Sequence, residues 1–204
     1  MFLALKNYIN TLEFNDLSAE RKKILDVLVK YINEKKVAGK VIRLNFVCTH
    51  NSRRSHLSQI WAQTMAYHFK VDAVQCYSSG TEATALYPRV LQTLKNTGFQ
   101  IESLSEGSNP IYCIKYSSNE PSIIGFSKSL DAPFNPSDGF AAIMTCGQAD
   151  KDCPFVPGAE VRIPITYEDP KAFDNTSEQT LKYAERSRQI ACEMGYVFSK
   201  SLNH

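Results

Sequence analysis

From residue 41 onward the chain alternates between two hydrophobic periods. Short apolar runs of strand length alternate with stretches whose apolar residues recur every three to four positions, as on a helix face. The runs 41–47, 73–78, 141–145 and 161–163 predict four strands. Between them the pattern predicts a helix over Ser55–Phe69, burying Leu57, Ile60, Trp61, Met65 and His68, and a second over Pro88–Thr97 with Gly98 as its stop. A last helix over Ser177–Ser199 would place Leu181, Ala184, Ala191, Met194 and Phe198 on one face, opened by a capping box from Thr176 to Gln179. Strands and helices in strict alternation imply an α/β fold: an open parallel four-stranded sheet flanked by helices, with its site at the carboxyl ends of the strands.

Two regions depart from this rhythm. Residues 1–40 read as two amphipathic helices, with Phe2, Leu5, Ile9 and Leu12 in one and Ile24, Leu25, Leu28, Tyr31 and Ile32 in the other. Ser18 suits the N-cap of the second and Gly39 its end. Ile111–Tyr116 and Ser122–Phe126 are β-prone runs on either side of a turn-forming stretch, so a hairpin is expected within an insertion around 109–135. The expected organisation is an N-terminal helical extension, 1–40, packed on a catalytic domain, 41–204.

Composition narrows the class without choosing a function. A chain of 204 residues, 43% hydrophobic and 22% charged, is long enough to bury a full core. A net charge of +2 gives no case for nucleic acid, but it tolerates an anionic substrate. No apolar run approaches the roughly 18–20 residues that span a bilayer, and the first residues lack the pattern of a secretory signal. A cytoplasmic protein is the expectation, with neither nucleic acid nor membrane as partner. In that compartment the six cysteines are thiols rather than a disulfide framework. Cys76, Cys113 and Cys192 lie in strand-like or helical runs and read as core or near-core. Cys48, Cys146 and Cys153 fall in loops and call for another explanation.

The first strand leads straight into Cys48-Thr49-His50-Asn51-Ser52-Arg53-Arg54-Ser55. A strand, a tight loop and a helix N-terminus in that order form a cradle for an oxyanion, because the helix start offers free N–H groups and partial positive charge. The thiolate form of a cysteine is the nucleophile, and such surroundings favour it. Thr49, His50, Asn51, Ser52, Arg53, Arg54 and Ser55 are the expected oxyanion-binding residues. Among them Arg54 has a planar fork suited to two oxygens, and Ser55 a hydroxyl for the sulfur. A cysteine and an arginine six positions apart are a common accident; the strand before them and the helix after them carry the inference. His50 reads as an ordinary loop residue and His56 as a helix-surface residue, with no metal site expected.

This octapeptide resembles the phosphate loop of low-molecular-weight protein tyrosine phosphatases and of the thioredoxin-coupled arsenate reductases that share their fold. Tyr77-Ser78-Ser79-Gly80-Thr81-Glu82 and Tyr87–Gly98 are similar to the family as well, and the likeness resumes at Met144. It leaves residues 1–40 and the hairpin region unmatched. Glu168-Asp169-Pro170 resembles the family's late Asp-Pro element, which implies that Asp169 protonates the leaving oxygen. Lys171 and Ala172 follow where phosphatases carry aromatic walls, with Phe173 only third, which argues against an aryl phosphate. His50 stands where the family usually has glycine, Arg53 where it often has cysteine, and Gln59 where the reductases usually have glutamate.

Cys146 and Cys153, with six residues between them in a polar loop, resemble the redox pair of the arsenate reductases. The resemblance implies a relay: Cys48 attacks arsenate, Cys146 attacks Cys48, and Cys153 exchanges onto Cys146, with thioredoxin as reductant and no bound cofactor. Their spacing exceeds that of zinc knuckles, and no second Cys/His pair lies nearby in sequence. Two alternatives remain open. One is a phosphatase hydrolysing phosphate monoesters through a Cys48 phosphoenzyme, and the other an anion-binding module without turnover, against which the presence of Asp169 argues.

Overall fold

The computed structural model describes residues 1–201, apart from the side chain of Asp152. The last three residues of the expected 41–204 domain lie outside the described residues. Strands β1 (Ile42–Cys48), β2 (Val74–Gly80), β6 (Phe140–Met144) and β7 (Ala159–Pro164) form a parallel sheet in the order β2-β1-β6-β7. Each expected strand is present, shifted by a residue or two at its ends. The pairing places Cys48 opposite Gly80 and Val47 opposite Met144, so the ends of three strands meet around Cys48.

The two sheet faces are covered unequally. Leu44, Phe46, Ala141, Ile143 and Ile163 form one core with α1 (Leu3–Ile9), α2 (Ala19–Val37), α3 (Arg54–His68), α4 (Pro88–Asn96) and α6 (Gln179–Lys200). On the other face Val47, Phe140, Ala142 and Met144 pack against Cys146, Ala149 and Val156, under the short helix α5 (Gly147–Asp152) and irregular chain. Among the described residues no helix is long and apolar enough to cross a membrane.

Local chemistry explains both ends of α2 and the end of α4. Ser18 accepts a hydrogen bond from the Arg21 N–H at 3.1 Å, and Gly39 takes a left-handed conformation (φ +62°) just after α2. Gly98 (φ +106°) ends α4, and an added Cβ there would come within 2.4 Å of the Leu5 nitrogen. The bare backbone thus lets α1 lie directly on this turn.

Helix α6 corrects two expectations. Glu178 rather than Thr176 is its N-cap, no side chain caps it, and the Thr176 hydroxyl donates to the Phe173 carbonyl. Leu181 and Ala184 are exposed, because the buried stripe runs through Tyr183, Ser187, Ile190, Ala191, Met194 and Phe198. The polar hydroxyls of Tyr183 and Ser187 hid that stripe: each is hydrogen-bonded, Ser187 to the Trp61 indole at 2.9 Å.

The expected hairpin is present as β4 (Tyr112–Lys115) and β5 (Ile123–Gly125), with Ile114 opposite Ile123. It is larger than expected, because β3 (Gln100–Ser103) adds antiparallel to β4 and completes a three-stranded sheet. Beyond β5 the chain runs back to the main sheet. Gly80 N–H donates to the Lys128 carbonyl at 2.9 Å and Leu130 N–H to the Gly80 carbonyl at 3.1 Å, so residues 128–130 lie as a short parallel strap at the carboxyl end of β2.

Candidate active site

Residues 49–53 make a loop between β1 and α3, and the carbonyls of Thr49, His50 and Ser52, like that of Cys48 before them, are taken by the chain that follows β2 or by Ser127 just before the strap. The carbonyl of Cys48 accepts from Thr81 N–H at 3.1 Å, Thr49 from Glu82 N–H at 2.8 Å, and Ser52 from Tyr87 N–H at 3.0 Å. The His50 carbonyl accepts from the hydroxyls of Thr84 and Ser127, each at 3.0 Å. Among the described residues, the backbone N–H groups from Thr49 to Arg53 find no protein acceptor. Buried donors left this way are costly unless an anion takes them.

One loop residue is strained, and it is Asn51 (φ +42°) rather than His50. Asparagine tolerates this left-handed conformation better than most residues. Its side chain also works in two directions: Nδ2 donates to Ser55 Oγ at 2.9 Å, and Oδ1 accepts from Lys128 N–H at 2.8 Å. Ser55 Oγ in turn lies 3.1 Å from Cys48 Sγ. Backbone of the strap is thereby tied through two side chains to the thiol. His50 sits with Nδ1 3.2 Å from Glu82 Oε2.

The two arginines have separate surroundings. Arg54 Nη1 donates to the Tyr167 carbonyl at 2.9 Å, and Nη2 to Asp169 Oδ2 at 2.6 Å. Asp169 is the N-cap of a 3₁₀ turn (Pro170–Phe173) and accepts from Lys171 N–H at 3.0 Å, which fixes its carboxylate beside the arginine. Arg53 points elsewhere. Its guanidinium donates to Tyr183 Oη and Asp174 Oδ2, each at 2.6 Å, and stacks 4.0 Å over the Tyr87 ring. That leaves its backbone N–H, rather than its side chain, facing the loop's task.

His56 lies where the sequence reading did not put it: fully buried behind the loop, with Nδ1 3.2 Å from Ser78 Oγ. Burial and then the neighbouring Lys128 charge hold its pKa well below the usual imidazole range. Lys128 is itself only 3% exposed, and its pKa is lowered to about 7 by burial. The ammonium donates to Ser78 Oγ and the Phe126 carbonyl and lies 4.6 Å from the Phe126 ring centre. Nothing in the spacing of the sequence marked this lysine, since the strap that carries it belongs to the insertion.

Cys146 follows β6, and Thr145 N–H donates to the Val47 carbonyl at 2.7 Å, setting it beside the end of β1. Its sulfur is buried, accepts from Ala149 N–H at 3.3 Å as N-cap of α5, and lies 3.5 Å from Thr49 Oγ1. Cys48 and Cys146 carry free thiols in one apolar cluster, and Cys153, at the far end of α5, packs against the same cluster. Among the described residues no group of three His, Cys, Asp or Glu side chains could hold a metal ion.

Comparison with known proteins bears on the fold and on the stretch around the loop. Residues 43–116 match the model of the family described as low molecular weight phosphotyrosine protein phosphatase. Over that stretch the chain is similar to those phosphatases, and over a longer one to arsenate reductases. An arsenate reductase of Bacillus subtilis (strain 168) is 29% identical over 143 residues, covering 70% of this chain and 84% of that protein. A second, from Bacillus licheniformis, is 27% identical over the same shares. Among solved structures, a low molecular weight protein tyrosine phosphatase from T. tengcongensis superposes with a TM-score of 0.53 at 16% identity, covering 78% of this chain and 99% of that one. An arsenate reductase in the phosphate binding state gives 0.50 at 18% identity, covering 78% and 98%. At such identities these two structures speak for the fold alone.

Proposed function

We propose that the protein reduces arsenate to arsenite, with Cys48 as nucleophile, Arg54 and the loop N–H groups holding the oxyanion, and Asp169 as general acid. The observation that carries the reading is the run of N–H groups from Thr49 to Arg53, without an acceptor among the described residues, that follows a buried thiol. Such a cradle stabilises charge that develops on a tetrahedral oxyanion. In this proposal residues 41–204 form the catalytic domain and 1–40 a helical extension of it. Among the loop residues Thr49, His50, Asn51, Ser52 and Arg53 act through their backbone, while Ser55 steadies the sulfur.

Cys48 thiolate attacks arsenic, a sulfur–arsenic bond forms, and an oxygen leaves as water with a proton from Asp169. Cys146 thiolate then attacks Cys48 Sγ; a disulfide forms, and the electron pair of the sulfur–arsenic bond stays on arsenic, giving arsenite. Cys153 attacks Cys146 Sγ and releases Cys48 as thiolate. A dithiol reductant of the thioredoxin type, as a protein partner, reduces the Cys146–Cys153 disulfide. No bound cofactor is required. The common apolar cluster of the three cysteines and the buried position of Cys146 beside the loop support this order. Helix α5 separates Cys146 from Cys153, so it must open for their sulfurs to join.

A phosphatase using the same Cys48, Arg54 and Asp169 is the second reading, because these three groups serve phosphate and arsenate alike. Turnover of arsenate with thioredoxin and its reductase, compared with turnover of an aryl phosphate, separates the two. Cys153→Ser is expected to abolish repeated turnover of arsenate while leaving any phosphatase activity near that of the parent. Equal multiple-turnover rates on arsenate for both proteins would sink the relay. Survival of either reaction in Cys48→Ser would remove Cys48 as nucleophile.

A further inference from the structure

The N-terminal extension reaches the reaction site through a chain of hydrogen bonds. Glu193 on α6 is only 1% exposed and takes both bonds of an arginine fork: Arg21 Nε donates to Oε1 at 2.9 Å and Nη2 to Oε2 at 2.7 Å. Arg21 belongs to the first turn of α2, its own N–H held by Ser18. The same carboxylate accepts the Tyr167 hydroxyl at 2.7 Å and Gln189 Nε2 at 3.1 Å. Arg21 also lies 5.0 Å from the centre of the Tyr167 ring. Tyr167 is therefore gripped at its ring and its hydroxyl by two distant elements.

The other end of Tyr167 faces the chemistry. Its carbonyl accepts from Arg54 Nη1, its N–H donates to the Thr145 carbonyl at 3.1 Å, and it stands two residues before Asp169. A shift of this residue would move the anchor of the oxyanion-binding arginine, the backbone next to Cys146 and the approach to the acid together.

We infer that Arg21, Glu193 and Tyr167 are positioning residues for Arg54, and that residues 1–40 thereby serve the reaction as well as the core. This rests on the oxyanion-binding reading of the Cys48 loop. Polar chains of this kind, buried at Glu193 and Tyr167 and hydrogen-bonded at each link, hold one geometry rather than several. Catalytic and binding groups need such support, since a misplacement of about 1 Å can cost about 100-fold. Glu193 would otherwise be a costly choice for a helix face packed in the core, where an apolar residue of similar size fits without an ion pair.

The test uses the full chain, with inorganic phosphate as probe and calorimetry as readout. Tyr167→Phe removes one hydroxyl and keeps the carbonyl, so it spares the fold while loosening the anchor. The double variant Arg21→Met/Glu193→Gln removes the ion pair without stranding a charge. Each is expected to weaken phosphate binding about tenfold, and the triple combination no more than either, because they break one chain. Arg21→Lys, which keeps charge but loses the fork, should fall between. A purely structural role predicts a lower urea midpoint with an unchanged phosphate Kd in the folded protein, and that result in Tyr167→Phe overturns the inference. The parent and Arg54→Lys are measured alongside. If phosphate binds both equally, the oxyanion reading of the loop is what has failed.

Discussion

Arg54 Nη2 lies 2.6 Å from Asp169 Oδ2, so the two groups assigned to the oxyanion and to its leaving oxygen hold each other. The second fork nitrogen is on the Tyr167 carbonyl. An arriving anion must draw the guanidinium partly away from Asp169, and must also approach a carboxylate of like charge. Asp169→Asn removes the like charge and weakens the hold on the guanidinium, since the amide oxygen accepts without a charge. It is expected to bind inorganic phosphate or arsenate more tightly than the parent, by a fewfold in Kd, while turnover falls by about 100-fold or more for want of the acid. Calorimetry and steady-state rates read the two effects separately. Binding that weakens in step with turnover would mean that Asp169 supports the loop rather than competes for its arginine.

Asn51 joins the strap to the thiol. Its two side-chain bonds, to Ser55 Oγ and from Lys128 N–H, are both buried, and its backbone is left-handed. Asn51→Ala loses both bonds, strands a buried donor and keeps the backbone strain, for a destabilisation of about 2–3 kcal/mol. Asn51→Gly loses the same bonds but relaxes the backbone, so its denaturation midpoint should lie between alanine and parent. Activity should fall in both, because Ser55 loses the partner that aims it at Cys48. Urea denaturation with parallel rate measurements checks the order of the three proteins.

Much of this architecture was readable from residue patterns, for identifiable reasons. The four parallel strands are near-continuous apolar runs, and helices α2 and α4 end where Gly39 and Gly98 allow a left-handed turn, so period and punctuation agree. The Cys48 loop was legible because strand, loop and helix start are contiguous in sequence. What escaped depends on contacts between distant segments. Strand β3 is four residues long and is a strand only because β4 pairs with it. The buried stripe of α6 contains Tyr183 and Ser187, polar by type but satisfied by Asp174 and Trp61. His56 reads as surface by its polarity, yet Ser78 and Lys128 enclose it. The unequal cover of the two sheet faces has no one-dimensional signature.

Gly80 is constrained by space rather than by its backbone angle. A Cβ there would lie 2.4 Å from the Glu82 carbonyl oxygen and 2.7 Å from both the Asn51 nitrogen and the Thr49 carbonyl oxygen. All three are backbone atoms of the loop or of the turn that clasps it, so none can swing aside as a flexible side chain would. Gly80→Ala must push the oxyanion loop away from the end of β2. The expected cost is at the upper end of the roughly 1–3 kcal/mol typical of overpacking, with phosphate affinity falling further than the stability loss alone explains. Normal affinity in a folded Gly80→Ala protein would show that the loop does not need this close approach.

Lys128 gives the fold a pH dependence of predictable sign. Burial lowers its pKa from 10.5 to about 7 in the folded protein, while the unfolded chain keeps the ordinary value. Below about pH 7 the group is charged in both states, and the folded protein bears the full burial cost. Between there and 10.5 only the unfolded chain holds the proton, so stability rises with pH across that window and levels off above it. The ring faces of Phe126 and Phe134, 4.6 and 5.3 Å from the ammonium, return part of the cost. Lys128→Met removes the titrating group and keeps much of the packing. The parent should therefore gain stability relative to this variant as pH is raised from 6 to 10, read as urea midpoints at each pH. Parallel curves for the two proteins would mean that the amine titrates alike in the folded and unfolded chain, and so is not buried as described.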